Sequence, residues 1–172
     1  MWLNQFSPPA AEYPITITAV QSIFGNPAGW NAAGDKIHIY IYLDNDADPT
    51  NGATLLGQHT YTQPTPANAW RNIALSTPVV VNGPGHILIA MTNPTGNTGT
   101  RPVSADPGPF NGHGWIGDYA DTATGVAPDL SAPAIGLLPN DQAISGFDRT
   151  WLIRATGTNG GGRPISLEPV TH

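Results

Sequence analysis

The chain has 172 residues, a formal charge of −6 from 6 Lys/Arg against 12 Asp/Glu, 20 Gly, 18 Pro and no cysteine. That length is enough for one domain with a substantial core. Six scattered cations make no stripe to meet a phosphate backbone or an anionic membrane, so nucleic-acid partners are excluded. The absence of thiols excludes disulfides, thiolate catalysis and Cys-ligated zinc, and no apolar run is long enough for membrane insertion.

Trp2, Leu3 and Phe6, ahead of Ser7-Pro8-Pro9, predict a short edge strand or an arm that the prolines end. Tyr13–Phe24 reads as a strand, with Ile15 and Ile17 on one face and Thr16 and Thr18 on the other. Val20 and Ile23 fall out of that phase, which predicts a bulge near Ala19–Gln21. Gly25–Asp35 is a Gly/Asn/Ala loop carrying Trp30.

Lys36–Leu43 shows the clearest alternation. Ile37, Ile39, Ile41 and Leu43 share one face; Lys36, His38, Tyr40 and Tyr42 share the other, expected to be at least partly wet. An acidic loop follows, with Asp44, Asp46 and Asp48 at alternate positions, then Pro49, Asn51 and Gly52. Leu55–Thr62 should return antiparallel to it.

Further strands are expected at Trp70–Leu75, at a short Pro78–Val81, at His86–Thr92 after the turn Asn82–Gly85, and around Trp115 and Ile116. Ala120–Gly146 has little β-propensity and reads as an irregular surface loop. Thr150–Thr156 closes the domain. The expected organisation is therefore a sandwich over residues 1–156 and a Gly-rich linker or tail over 157–172. About eight short strands between Pro/Gly turns, with almost no helical periodicity, define an all-β class: a two-sheet antiparallel β-sandwich of jelly-roll type.

The acidic loop has the spacing for a cation site. Alternate carboxylates can turn three oxygens inward, and Ca²⁺ takes six to eight oxygen ligands. Asp44, Asp46, Asp48 and Asn51 are the candidate ligands. The opening looks like an EF-hand, but Pro49 stands where the turn glycine belongs and Leu55 where the bidentate Glu belongs. A structural calcium clasp on a hairpin remains, against a plain solvated turn in which Asp and Asn shape the backbone.

His38, Tyr40 and Tyr42 could form a platform for sugar rings, with Trp30 as a second contact. The alternative is that the tyrosines lie under a loop or pair across strands. The five histidines show neither HxH nor HExxH spacing, and no serine sits in G-x-S-x-G. Asp106, Asp118, Asp129, Asp141 and Asp148 could include an acid/base pair, but loop-borne Asp residues are mostly turn formers.

Several stretches carry a resemblance: Phe6–Pro9 before Tyr13–Ile17, Ile39–Asp44 with its acidic loop, and Asn51–Leu56. Pro78–Gly85, Gly114–Gly117 and Trp151–Ala155 extend it. The chain resembles the jelly-roll-like β-sandwich accessory domains of bacterial exported and surface multidomain proteins. That resemblance implies a non-catalytic extracellular or cell-surface module for spacing, adhesion or assembly, rather than an enzyme. Its implied partners are other domains of a larger exported chain or like subunits. A carbohydrate-binding module is the alternative, with a small hydrolase third.

Overall fold

The computed structural model describes residues 1–25, 31–64, 68–99, 103–106, 108, 110–119, 125–132, 135–145, 147 and 149–168. Ten strands are described: β1 (Trp2–Phe6), β2 (Ile15–Ile23), β3 (Lys36–Asp44), β4 (Thr54–Thr62), β5 (Trp70–Val81), β6 (His86–Thr92), β7 (Gly114–Asp118), β8 (Ile135–Pro139), β9 (Ile153–Thr158) and β10 (Pro164–Leu167). A single-turn 3₁₀ segment covers Ala10–Glu12, and a short helix, α1, covers Asn140–Ala143. The strands form two antiparallel sheets packed as a sandwich, one of order β4-β3-β6-β1-β7-β8, the other β10-β9-β2-β5.

The pairing nests. β3 pairs with its neighbour β4, β2 with β5, and β1 with β6. The first and last of these pairs share the six-stranded sheet, joined through β3·β6, while β2·β5 lies in the other. That is the wrapping order of a jelly roll, extended by β7–β8 on one sheet and β9–β10 on the other.

The inward faces follow from the period-2 alternation. Ile37, Ile39 and Ile41 of β3 and Ile87, Ile89 and Met91 of β6 meet Ile15, Ile17, Val79, Val81 and Ile153 of the opposite sheet in one buried cluster. Asn4 also points into this layer. Its Nδ2 donates to the carbonyls of Trp151 (2.6 Å) and Ile153 (3.2 Å), tying the two sheets together.

Five expectations change. The N-terminal segment is no edge: β1 lies between β6 and β7, where Trp2 and Phe6 face the core. Pro78–Val81 is not a separate strand but the end of β5. The register jumps from Ile17↔Val79 to Ala19↔Ala74, so β5 bulges there, and its edge position tolerates Pro78. The stretch read as irregular holds β8, paired with β7, and α1.

The run read as a linker is a hairpin turn. β10 pairs with β9 from Pro164↔Thr158 to Leu167↔Ala155. Asn159 Oδ1 accepts from the N–H groups of Gly161 and Arg163, and Gly162 adopts φ 75°. Gly162 serves the left-handed position of the turn, and Gly160 leaves room for Pro14, whose Cδ lies 2.6 Å from where a Cβ would stand. The antiparallel pairing therefore continues through Leu167.

Lastly, the tyrosine side of β3 is wet only at Lys36, because beyond it the segment 125–132 forms a roof. Leu3, Tyr40, Tyr42, Leu88 and Ala90 pack there with Leu130 and Leu137 in a second buried cluster.

Candidate functional site

Three places could carry function: the acidic turn, the tyrosine layer, and a cleft at one end of the sandwich. In the acidic turn each carboxylate bends the chain that follows it. The N–H of Asp46 donates to Asp44 Oδ1 (3.4 Å), and that of Asp48 to Asp46 Oδ1 (3.1 Å). The N–H and hydroxyl of Thr50 both donate to Asp48 Oδ1. These are successive Asx-type turns, which explains the alternate spacing without any ion. Ala47 takes a left-handed φ of 68° at the apex.

The loop brings together Asp44, Asp46 and Asn51, whose Nδ2 donates to Asp46 Oδ2 at 2.6 Å. It turns Asp48 away into Thr50. Among the described residues no three His, Asp or Glu side chains converge on one point.

Asp44 is the unusual member. It ends β3 fully buried, and its Oδ2 accepts no hydrogen bond. Burial pushes its carboxyl pKa up, and the touching Asp46 carboxylate adds to the rise. Asp46 is exposed and held below the ordinary value, first by the Asp48 N–H and then by the Asp44 and Asn51 side chains. Two carboxyl groups in contact, one dry and one wet, suit a shared proton or a shared cation. The side-chain donors of Asp44 and Asp46 are all oxygen, a set that suits calcium rather than a softer metal.

The tyrosine layer is closed. Tyr40 and Tyr42 are 1% and 2% exposed and His38 4%. The Tyr42 hydroxyl donates to the Pro128 carbonyl at 2.8 Å and that of Tyr40 to Val126 at 3.3 Å. His38 stands edge-on to Tyr40, and Gly125 lies over its ring at a distance where a Cβ would touch at 3.5 Å. Burial pushes both tyrosine hydroxyls further up from their ordinary pKa. A sugar could stack on these rings only after residues 125–132 had left. Trp30, the other proposed sugar contact, lies outside the described residues.

The cleft was not visible in the sequence. It has a volume of about 750 Å³ and is walled by Trp2 of β1, Ile116 of β7, Val103, Ile144, Phe147 and Trp151. Trp2 meets Trp151 edge-on with centroids 6.4 Å apart, and Phe147 tilts over Trp151 at 5.0 Å. Trp151 is fixed from two sides. Its Nε1 donates to the Trp115 carbonyl at 2.8 Å, and its own carbonyl accepts from Asn4. The polar groups on the wall are those of Asn68, Ser104 and Arg149. With Ile23 of β2, the lining residues come from six separate stretches, so no local spacing could have announced them.

Compared with protein-family models, curated proteins and solved structures, the chain matches none.

Proposed function

We propose that the chain is a non-catalytic accessory module of an exported, extracellular or cell-surface bacterial protein. It spaces or holds other domains of the same chain or like subunits, and is stiffened by a calcium ion at the Asp44–Asn51 turn. The observation that carries the reading is the way the aromatic face is used. At β1, β3 and β6 the six-stranded sheet buries one face against the second sheet and the other in a cluster that includes Leu130, which makes a stiff slab. The resemblance to accessory domains of exported proteins supports the setting.

The calcium component is supported by Asp44, whose buried Oδ2 has no donor. Asp44 and Asp46 would hold the ion, with Asn51 beside them, and it would neutralise the paired carboxyls. A ligand that binds only the folded state adds about 2.7 kcal/mol at a hundred times its Kd. Melting in millimolar calcium against EDTA should therefore show a clear rise, lost in Asp46→Asn. An unchanged melting temperature removes calcium from the reading. Catalytic turnover abolished by changing one Asp outside the acidic turn would replace the module with an enzyme.

A further inference from the structure

We propose that the cleft between Trp2, Trp151 and Arg149 is a binding site for a small amphipathic organic anion. The ligand has an aromatic or branched apolar body and one carboxylate or sulfonate head. This inference is independent of the calcium reading, since it uses none of the same residues.

The size is right: small-molecule sites typically run from about 300 to 1,000 Å³, and this cleft measures about 750 Å³. The apolar wall is also open to ligand, because Ile144, one of its lining residues, is 38% exposed. Trp2 and Phe147 are only partly buried against the core, so aromatic surface remains for a guest ring. An edge-to-face or offset stack on such rings adds to the gain from area alone.

Charge selects the head group. The protein carries twice as many acids as cations, yet among its described residues the wall holds one Arg and no Asp or Glu. Arg149 is exposed and makes no salt bridge among the described residues, whereas Arg154 and Arg163 each pair with a Glu. An exposed Arg on an otherwise apolar wall favours a planar oxyanion.

The same inventory disfavours a sugar. Among the described residues, Asn68 and Ser104 are the polar aliphatic side chains of the wall besides Arg149, too few to replace the water around a ring of hydroxyls. A neutral apolar guest would leave the Arg149 fork unused.

Three probes separate these cases: 4-phenylbutyrate, 4-phenylbutan-1-ol and glucuronate. Binding is measured by titration calorimetry, with the indole resonances of Trp2 and Trp151 locating the site. Phenylbutyrate should bind saturably and the alcohol about tenfold more weakly, the worth of one charge-assisted hydrogen bond; glucuronate should not bind. Arg149→Gln should bring the acid down to the affinity of the alcohol, which itself stays unchanged. Ile144→Asp should weaken both. Both positions are exposed, and a thermal melt of each variant checks that it folds.

The proposal is overturned if acid and alcohol bind equally to the native protein, or if Arg149→Gln keeps the preference. It is overturned in favour of an acidic sugar if glucuronate binds and phenylbutyrate does not. No saturable binding of any probe up to its solubility limit also overturns it.

Discussion

The two ends of β3 each carry a buried aspartate, and the two behave in opposite ways. Asp35, just before the strand, is surrounded by donors. Its carboxylate accepts from the N–H groups of Ala32 (2.8 Å), Thr98 (2.9 Å) and Gly99 (3.0 Å), and from the Thr98 hydroxyl. Burial works to raise its pKa, but those donors outweigh it and the net shift is downward. Asp44, at the far end, has one long backbone bond and a buried oxygen with no donor, and its pKa is raised. The sequence marks the acidic end as special by its density of carboxylates. The structure shows that the number of donors within reach decides what a buried carboxylate does. Asp35 is a finished structural clamp joining two loops, while Asp44 still has capacity for a proton or an ion.

The most damaging way to test this contrast is Asp35→Ala. It strips three N–H donors and a hydroxyl of their acceptor and separates the loop at 31–35 from that at 97–99. A loss of about 3 kcal/mol in chemical denaturation is expected. A loss below about 1 kcal/mol would mean that the clamp is ornamental.

Asp44→Asn should go the other way in EDTA. Removing a buried, poorly solvated charge is expected to stabilise by about 1 kcal/mol, and the same change should abolish any calcium-induced rise. The middle of the strand supplies an uncharged control. Tyr42→Phe loses the bond to Pro128 and should cost about 1 kcal/mol, by the same amount at pH 4 as at pH 7.

Acid titration separates the two ends by sign. The stabilising contribution of Asp35 is fully present above the ordinary carboxyl value of 3.8 and is lost as pH falls through its lower folded value. For Asp44 the folded form prefers the proton. Its penalty is absent below 3.8, grows between 3.8 and its raised folded value, and is complete above that. Asp35→Asn should therefore flatten the acid limb of the stability curve, and Asp44→Asn should remove a decline on the rising side.

The smallest effect is expected at Ala47. Relieving a left-handed alanine gains about 1 kcal/mol, and the freer unfolded glycine returns roughly half of it. Ala47→Gly should thus stabilise by about 0.5 kcal/mol and leave the response of Asp44 to pH unchanged.

Much of the fold could be read from the sequence for one physical reason: a strand with one face in the aliphatic core writes that face at every second residue. β3, β4, β6 and the body of β2 were legible in this way. What lies on the other face of a strand is not written in that strand. Tyr40 and Tyr42 alternate as a surface pair would, yet their hydroxyls end on carbonyls 86 residues away. Asp35 was silent for the same reason, since its partner Thr98 is 63 residues on. The Gly-rich run after Thr158 misled differently. Glycine serves slack linkers and tight turns alike, and only the β9–β10 pairing shows which. The cleft required Trp2 and Trp151 to meet across nearly the whole chain, which no local pattern encodes.

The nested order of the pairs also has a kinetic side. Of the three nested pairs, only β3 and β4 follow one another directly in the chain. Closing that hairpin brings the ends of β2 and β5 towards each other, and closing those brings β1 within reach of β6, so each step shortens the loop the next must close. The acidic turn is then the crease from which the roll is wound. Folding dominated by such distant pairings should be slow, in milliseconds to seconds. Pulse-labelled amides of Ile39–Tyr42 should gain protection before those of Leu3 and Asn4. Protection of β1 first would mean that the roll is not wound from its crease.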